Sequence, residues 1–164
     1  MEKSRKTSTP MIIMRIVFTG MLIYSVGFIF HNSLEIAQTS TNRSHDVLIL
    51  LNGLLRKVGL GPLSMHFVRK LAHFAEFLFM GFWFMLCLRV YTHHFIKHVS
   101  WPLFFGLLTA VVDETIQRYV PGRSSSTIDV LIDFSGVLAG LFVALIILMF
   151  FQMCYVLFKY RDKE

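Results

Sequence analysis

Four long apolar runs, separated by polar joints of which only the first is long, set the pattern of the chain. The first, Met11 to Phe30, is about twenty residues long, enough to cross a bilayer as a helix. The others run from about Met65 to Leu88, from about Val99 to Gln117, and from about Thr127 to about residue 152, with apolar residues continuing to Phe158. Each predicts a spanning helix. Between the first two, Val47, Leu50, Leu51, Leu54, Leu55 and Val58 recur at helical spacing between Ser44-His45-Asp46 and Gly59. That piece, about fourteen residues, is too short to span. It is expected either to lie on the membrane surface or to pack against the bundle. The predicted fold class is therefore all-α: a polytopic membrane helical bundle of four transmembrane helices, with a short interfacial helix between the first and second. One transmembrane domain covers residues 11–158, between a basic N-terminus (1–10) and a basic tail (159–164). The first run also has the layout of a secretion signal, a basic region before an apolar core. It is longer than such a core, and Gly27 and Ser33 sit in no cleavage pattern, so an uncleaved first helix is expected.

Polar residues interrupt the runs at helical intervals. Asp129, Asp133, Gly136 and Gly140 step by four, three and four, placing them within about 60° of one another on a helix. Gly106, Ala110, Asp113 and Gln117 repeat those steps before the Pro121-Gly122 turn. Small residues let helices approach closely in a membrane. The expected arrangement is a hairpin of the third and fourth spans whose facing stripes gather carboxylates and an amide at one membrane surface. On the second span, His66, Arg69, Lys70, Glu76, Phe77 and Met80 share a face centred on His73.

These motifs carry a resemblance. Asp113-Glu114-x-x-Gln117, Pro121-Gly122-Arg123, and then Asp129, Asp133 and Gly136 resemble the VanZ-like family of bacterial membrane proteins. Val68-Arg69-Lys70-Leu71-Ala72-His73-Phe74 is similar to the family's other signature, so the likeness covers roughly residues 65 to 145. One departure is Asp133, where the family pattern implies Asn in many members. The resemblance implies a bacterial cell membrane, an association with resistance to the glycopeptide teicoplanin that leaves the peptidoglycan precursor unaltered, and action at the outer leaflet. It implies no substrate.

Composition agrees with a membrane protein. Of 164 residues, 55% are hydrophobic and only 16% charged, and the mean hydropathy is +0.61. The formal charge of +6 comes from cations scattered around apolar runs, which fits basic loops beside a membrane and not nucleic-acid binding. Placing the N-terminus inside puts Lys3, Arg5, Lys6, Arg89, Lys97, Lys159, Arg161 and Lys163 in the cytoplasm. Four spans then return both termini to that side. Cys87 and Cys154 fall near cytoplasmic helix ends, where thiols stay reduced. The opposite surface holds Arg43, Arg56, Lys57, Arg118, Arg123 and the polar cluster, which thus faces outward. His93, His94 and His98, in the loop between the second and third spans, have irregular spacing and read as solvated surface.

Three readings of the cluster stay open. Carboxylates (Glu76, Asp113, Glu114, Asp129, Asp133) and cations (Arg69, Lys70, Arg118, Arg123) nearly balance, as an internally paired network requires. Arg123 and Ser124 to Thr127 lead into a helix start, a combination that suits an anion, although Ser126 or Thr127 capping the helix beside Asp129 explains the hydroxyls equally. Finally, His73 and Glu76, with Asp113 and Glu114 opposite, could perform acid–base chemistry. No protease, nucleophile-elbow, phosphate-loop or dinucleotide signature accompanies them. The expectation is a polar pocket of Arg69, Lys70, His73, Glu76, Asp113, Glu114, Gln117, Arg118, Arg123, Ser126, Asp129 and Asp133. Its expected partner is a membrane lipid or another anionic cell-envelope component, with no metal and no cofactor. A membrane-embedded hydrolase or transferase using His73, Glu76, Asp113 and Glu114 is the alternative, and a transporter stands third. The oligomeric state is not legible.

Overall fold

The computed structural model describes residues 9–92 and 94–161. Lys3, Arg5, Lys6, His93 and Lys163, used in the reading of charge and loops, lie outside the described residues. The described chain forms α1 (Thr9–Leu34), α2 (Ala37–Lys57), α3 (Met65–Tyr91), a single turn α4 (Phe95–His98), α5 (Ser100–Tyr119) and α6 (Thr127–Arg161), with no strand among the described residues. Four segments are long and apolar enough to cross a membrane: α1, α3, Ile96–Tyr119 and α6. The all-α, four-span architecture is therefore the one the hydrophobic pattern predicts.

Two boundaries depart from the pattern. α2 is 21 residues, not about fourteen, because its helix begins within the polar stretch that the apolar spacing passed over. Ser44 Oγ donates back to Ser40 O at 2.8 Å, so this polar first half satisfies itself within the helix. α6 is 35 residues, several turns longer than a span needs.

The joints follow from local chemistry. Gly59, at φ +75°, ends α2, and Leu60 N donates back to Leu55 O at 3.0 Å. Ser64 caps α3 by accepting from Phe67 N at 3.2 Å. Between α5 and α6, Arg123 N donates to Val120 O at 3.2 Å across Pro121 and Gly122, the latter at φ +78°. Proline first and a positive-φ glycine second make this a type II turn.

α3 is the hub: it packs most extensively against α6, then against α1, and also touches α5 and α2. Ile29, Phe77, Met80, Ala110, Val137 and Ala144 form the buried core. The small stripe of α6 was expected to face α5, and here the structure corrects the expectation. A Cβ at Gly136 would meet Phe74 O of α3 at 2.5 Å, and one at Gly140 would strike Leu78 O of α3. On the other side of the same contact, a Cβ at Gly81 would strike Val137 O. Backbone thus lies against backbone between α3 and α6. α5 keeps its place beside α6 through Gly106, which sits under the Val137 side chain. The Val137 side chain fills the space between Gly106 and α6, so on that side the contact is side chain to backbone.

Arg15 Nε donates to Val90 O at 3.0 Å, and the Thr19 and Tyr91 hydroxyls meet at 3.1 Å. The start of α1 therefore lies beside the end of α3. The opposite end collects the end of α1, α2, the start of α3 and the α5–α6 turn.

Candidate functional site

That opposite end holds the polar cluster. The α5 register buries Asp113, Glu114 and Gln117 together, and the α6 register buries Asp133 one turn below the half-exposed Asp129. Asp113 is fully buried; it accepts from Gln117 Nε2 at 2.6 Å and from Ser33 Oγ, and His73 Nδ1 lies 3.9 Å away. Glu114 Oε2 accepts from Ser126 N at 2.9 Å, while Ser126 Oγ accepts from Ile128 N at 3.2 Å. Ser126 is therefore the helix cap that the sequence offered as one use of the serine run. Lys70 Nζ reaches Asp129 Oδ1 at 2.9 Å. Hydrogen bonds hold much of the network together, and of the four cations counted in the charge balance only Lys70 pairs with a carboxylate among the described residues.

Arg118 departs from the expected set: it lies on the exposed side of α5 and lines neither polar cleft. One step past Gln117, its side chain is carried about 100° around the helix, away from the bundle.

The structure adds residues that sequence reading passed over. Asn32, at the end of the first apolar run, has the look of ordinary interfacial polarity. Instead it is 3% exposed, donates to Glu76 Oε1 at 2.8 Å, and accepts from Arg43 of α2 at 3.1 Å. Ser33 supports Asp113, and Glu35 pairs with Arg43 at 2.9 Å. The cluster thus draws on α1 and α2 as well as on the three later spans. The available signal was the spacing of Ser25, Asn32 and Ser33, which puts a polar stripe on one face of an otherwise apolar helix.

Two clefts open from the cluster, and His73 and Arg69 line both. One, about 70 Å³, lies between α3, α5 and α6 and includes Lys70, Glu114, Gln117, Ser124, Asp129 and Asp133. The other, about 210 Å³, lies between α1, α2 and α3; Arg43, Arg69 and Arg123 line it together with Phe28, Val47, Val68 and Ala72. A mostly apolar groove of about 290 Å³ adjoins it along α1 and α3, lined by Tyr24, Ala75 and Phe79 and sharing Phe28 and Glu76 with it.

The cations in the larger cleft differ. Arg43 is paired with Glu35. Arg69 and Arg123 have no carboxylate oxygen within 4.0 Å among the described residues. Arg123 makes one long bond, from Nη1 to Ser33 O at 3.5 Å, and its buried Nε has no partner among the described residues. Burial, reinforced by Arg69, holds its guanidinium below its ordinary pKa. An unpaired, partly buried guanidinium is a ready acceptor of an anion.

Neither the comparison with curated proteins nor that with solved structures gives a match. The VanZ/LLP1 family profile matches residues 16–151, a range that takes in the greater part of each of the four spans and every residue of the two clefts. With most of its length matched, this multi-pass membrane chain belongs to the VanZ/LLP1 family.

Proposed function

We propose that the protein binds an anionic, phosphate-bearing lipid of the bacterial cell envelope, without altering it, at the outer face of the cell membrane. The observation that carries this reading is the adjacency of two features. Arg69 and Arg123, with no carboxylate in ion-pair reach among the described residues, line a cleft that shares Phe28 and Glu76 with the apolar groove of Tyr24, Phe28, Ala75 and Phe79. A head group and a hydrocarbon chain together match the two; a soluble anion leaves the groove empty. Placing both termini in the cytoplasm puts the clefts at the outer leaflet, the orientation that the basic residues favour. Family membership adds a contribution to teicoplanin tolerance as the cellular expectation.

Native mass spectrometry of the detergent-purified protein, with phosphatidylglycerol and phosphatidylcholine in competition, tests this. Retention of the anionic lipid in wild type is expected. Arg123→Lys keeps the charge but loses the planar two-point grip, and Arg69→Gln removes one charge; both should release the lipid with little change in thermal stability. Arg118→Ala should leave binding unchanged. Equal retention of both lipids, or full retention in Arg69→Gln/Arg123→Gln, refutes the assignment.

A membrane-embedded hydrolase or transferase is the second reading, favoured by His73, which lines both clefts 3.9 Å from Asp113. Turnover of the bound lipid that disappears in a folded His73→Asn variant would replace the binding role with a catalytic one.

A further inference from the structure

We propose that His73, Asp113 and Asp133 bind one divalent transition-metal ion, Zn²⁺ or Mn²⁺, in the smaller cleft. One imidazole nitrogen and one oxygen from each carboxylate lie within 4.8 Å of one another. The three come from α3, α5 and α6, so the packing of three helices, not local sequence, makes the triangle. Around an ion at ordinary bond lengths, neighbouring ligand atoms sit about 3–3.5 Å apart. Side-chain rotations of roughly 1 Å close the gap.

A second observation points to a ligand. Every other carboxylate of the cluster has a partner on at least one oxygen: Asp113 has Ser33 and Gln117, Glu114 has Ser126 N, Asp129 has Lys70 and Glu76 has Asn32. Asp133 is 1% exposed, and neither of its oxygens has a hydrogen-bond partner among the described residues. The Nδ1 of His73, buried beside it, also lacks one. The unserved carboxylate is the one that faces the imidazole and the buried Asp113. At this depth an unpartnered carboxylate is costly. A doubly charged cation satisfies Asp133 and His73 and cancels the two carboxylates. This need explains why the helices bring the three together.

The donor set selects the ion. Mg²⁺ and Ca²⁺ favour all-oxygen sites, and copper(I) favours sulfur; one imidazole with two carboxylates suits Zn²⁺ or Mn²⁺. Three protein ligands leave positions open toward the cleft, where Lys70 and Ser124 also lie. About 70 Å³ holds several waters, since one needs only about 10–15 Å³. The site shares His73 and Arg69 with the arginine cleft, but Asp113 and Asp133 do not line that cleft, so Asp133→Asn tests metal binding without touching a residue of the lipid reading.

Purified wild-type protein, stripped with EDTA, is titrated with MnCl₂ by electron paramagnetic resonance and with ZnCl₂ by calorimetry. One ion per chain is expected, with a rise in the thermal midpoint. Loss of a residue that merely orients a ligand weakens metal sites about 10–100-fold, so Asp133→Asn should weaken binding at least that much. If Asp133→Asn does not fold, His73→Gln supplies the same comparison, and the wild-type stoichiometry and midpoint need no variant. No binding by wild type at about 100 μM metal overturns the proposal. So does unchanged affinity in either folded variant. Loss of the ion in a variant with His93, His94 and His98 all changed to Gln would also overturn it, by moving the ion to the loop.

Discussion

Gly140→Ala is the smallest change that challenges the architecture. The added Cβ would strike Leu78 O and lie 2.6 Å from Phe82 N and 2.9 Å from Leu78 C. All three are backbone atoms, so no side chain can swing aside, and α3 and α6 must separate locally by about 1 Å to regain ordinary contact. A gap of that size forfeits a quarter to a half of each contact across it, with contacts worth about 0.1–0.2 kcal/mol apiece. With some tens of atom pairs at a helix crossing, the loss is about 1–3 kcal/mol, the usual range for overpacking. Opposing it is the better helix propensity of alanine, about 1 kcal/mol. Gly20→Ala isolates that opposing term, because nothing lies within 4 Å of its new Cβ. Reversible unfolding in mixed micelles should therefore find Gly140→Ala less stable than Gly20→Ala by about 1–3 kcal/mol. Gly140→Leu should be worse still. The same separation carries His73 away from Asp133, so metal affinity should fall alongside stability. Equal stability of the two alanine variants would mean that the helices do not meet backbone to backbone at this point.

Other expectations follow from single contacts. Asn32→Ala takes the hydrogen-bond donor from Glu76 and leaves Arg43 with Glu35 alone; it should cost about 1–3 kcal/mol in thermal unfolding, whereas Asn32→Ala in a Glu76→Gln background should cost less. A double-mutant cycle on Lys70→Met and Asp129→Asn should return a coupling of only about 0.2–1 kcal/mol, because both side chains are 29% exposed; a larger value would place the pair in a drier setting. For topology, single cysteines at Ser125 and Ser4, in a chain lacking Cys87 and Cys154, should react with an impermeant thiol reagent on intact cells at Ser125 alone. The opposite labelling reverses the orientation.

The spans were legible because hydrocarbon demands about twenty apolar residues and tolerates few exceptions, so composition alone nearly determines α1, α3, α5 and α6. The α5–α6 turn was legible because Pro121-Gly122 encodes its dihedral angles. Partner choice was not: the Gly136–Gly140 stripe announces a close contact without saying against which helix. Asp113, Glu114, Gln117, Asp129 and Asp133 stood out as charges in apolar surroundings. Asn32 and Ser33 did not, since small polar residues near the end of a span look like the normal passage to water. Arg43 was invisible for a different reason, since its role depends on how α2 folds back across the end of the bundle. Asp133 and His73 are 60 residues apart, and only the helix packing discloses that they meet.

The length of α6 has a mechanical consequence. At 1.5 Å per residue, 35 residues measure about 52 Å, against roughly 30 Å of hydrocarbon. Even a tilt of about 40°, the steepest commonly found, leaves a rise near 40 Å, so about 10 Å must stand outside the apolar layer. Gly136 and Gly140 clamp the helix to α3 in its third and fourth turns, which fixes its first half relative to the clefts. The overhang therefore gathers at the far end, where Tyr155, Lys159, Tyr160 and Arg161 are exposed and suited to head groups. A bilayer that thickens or thins slides along this free end like a float on a post. The clefts, anchored at the other end, keep their depth while the membrane around them changes.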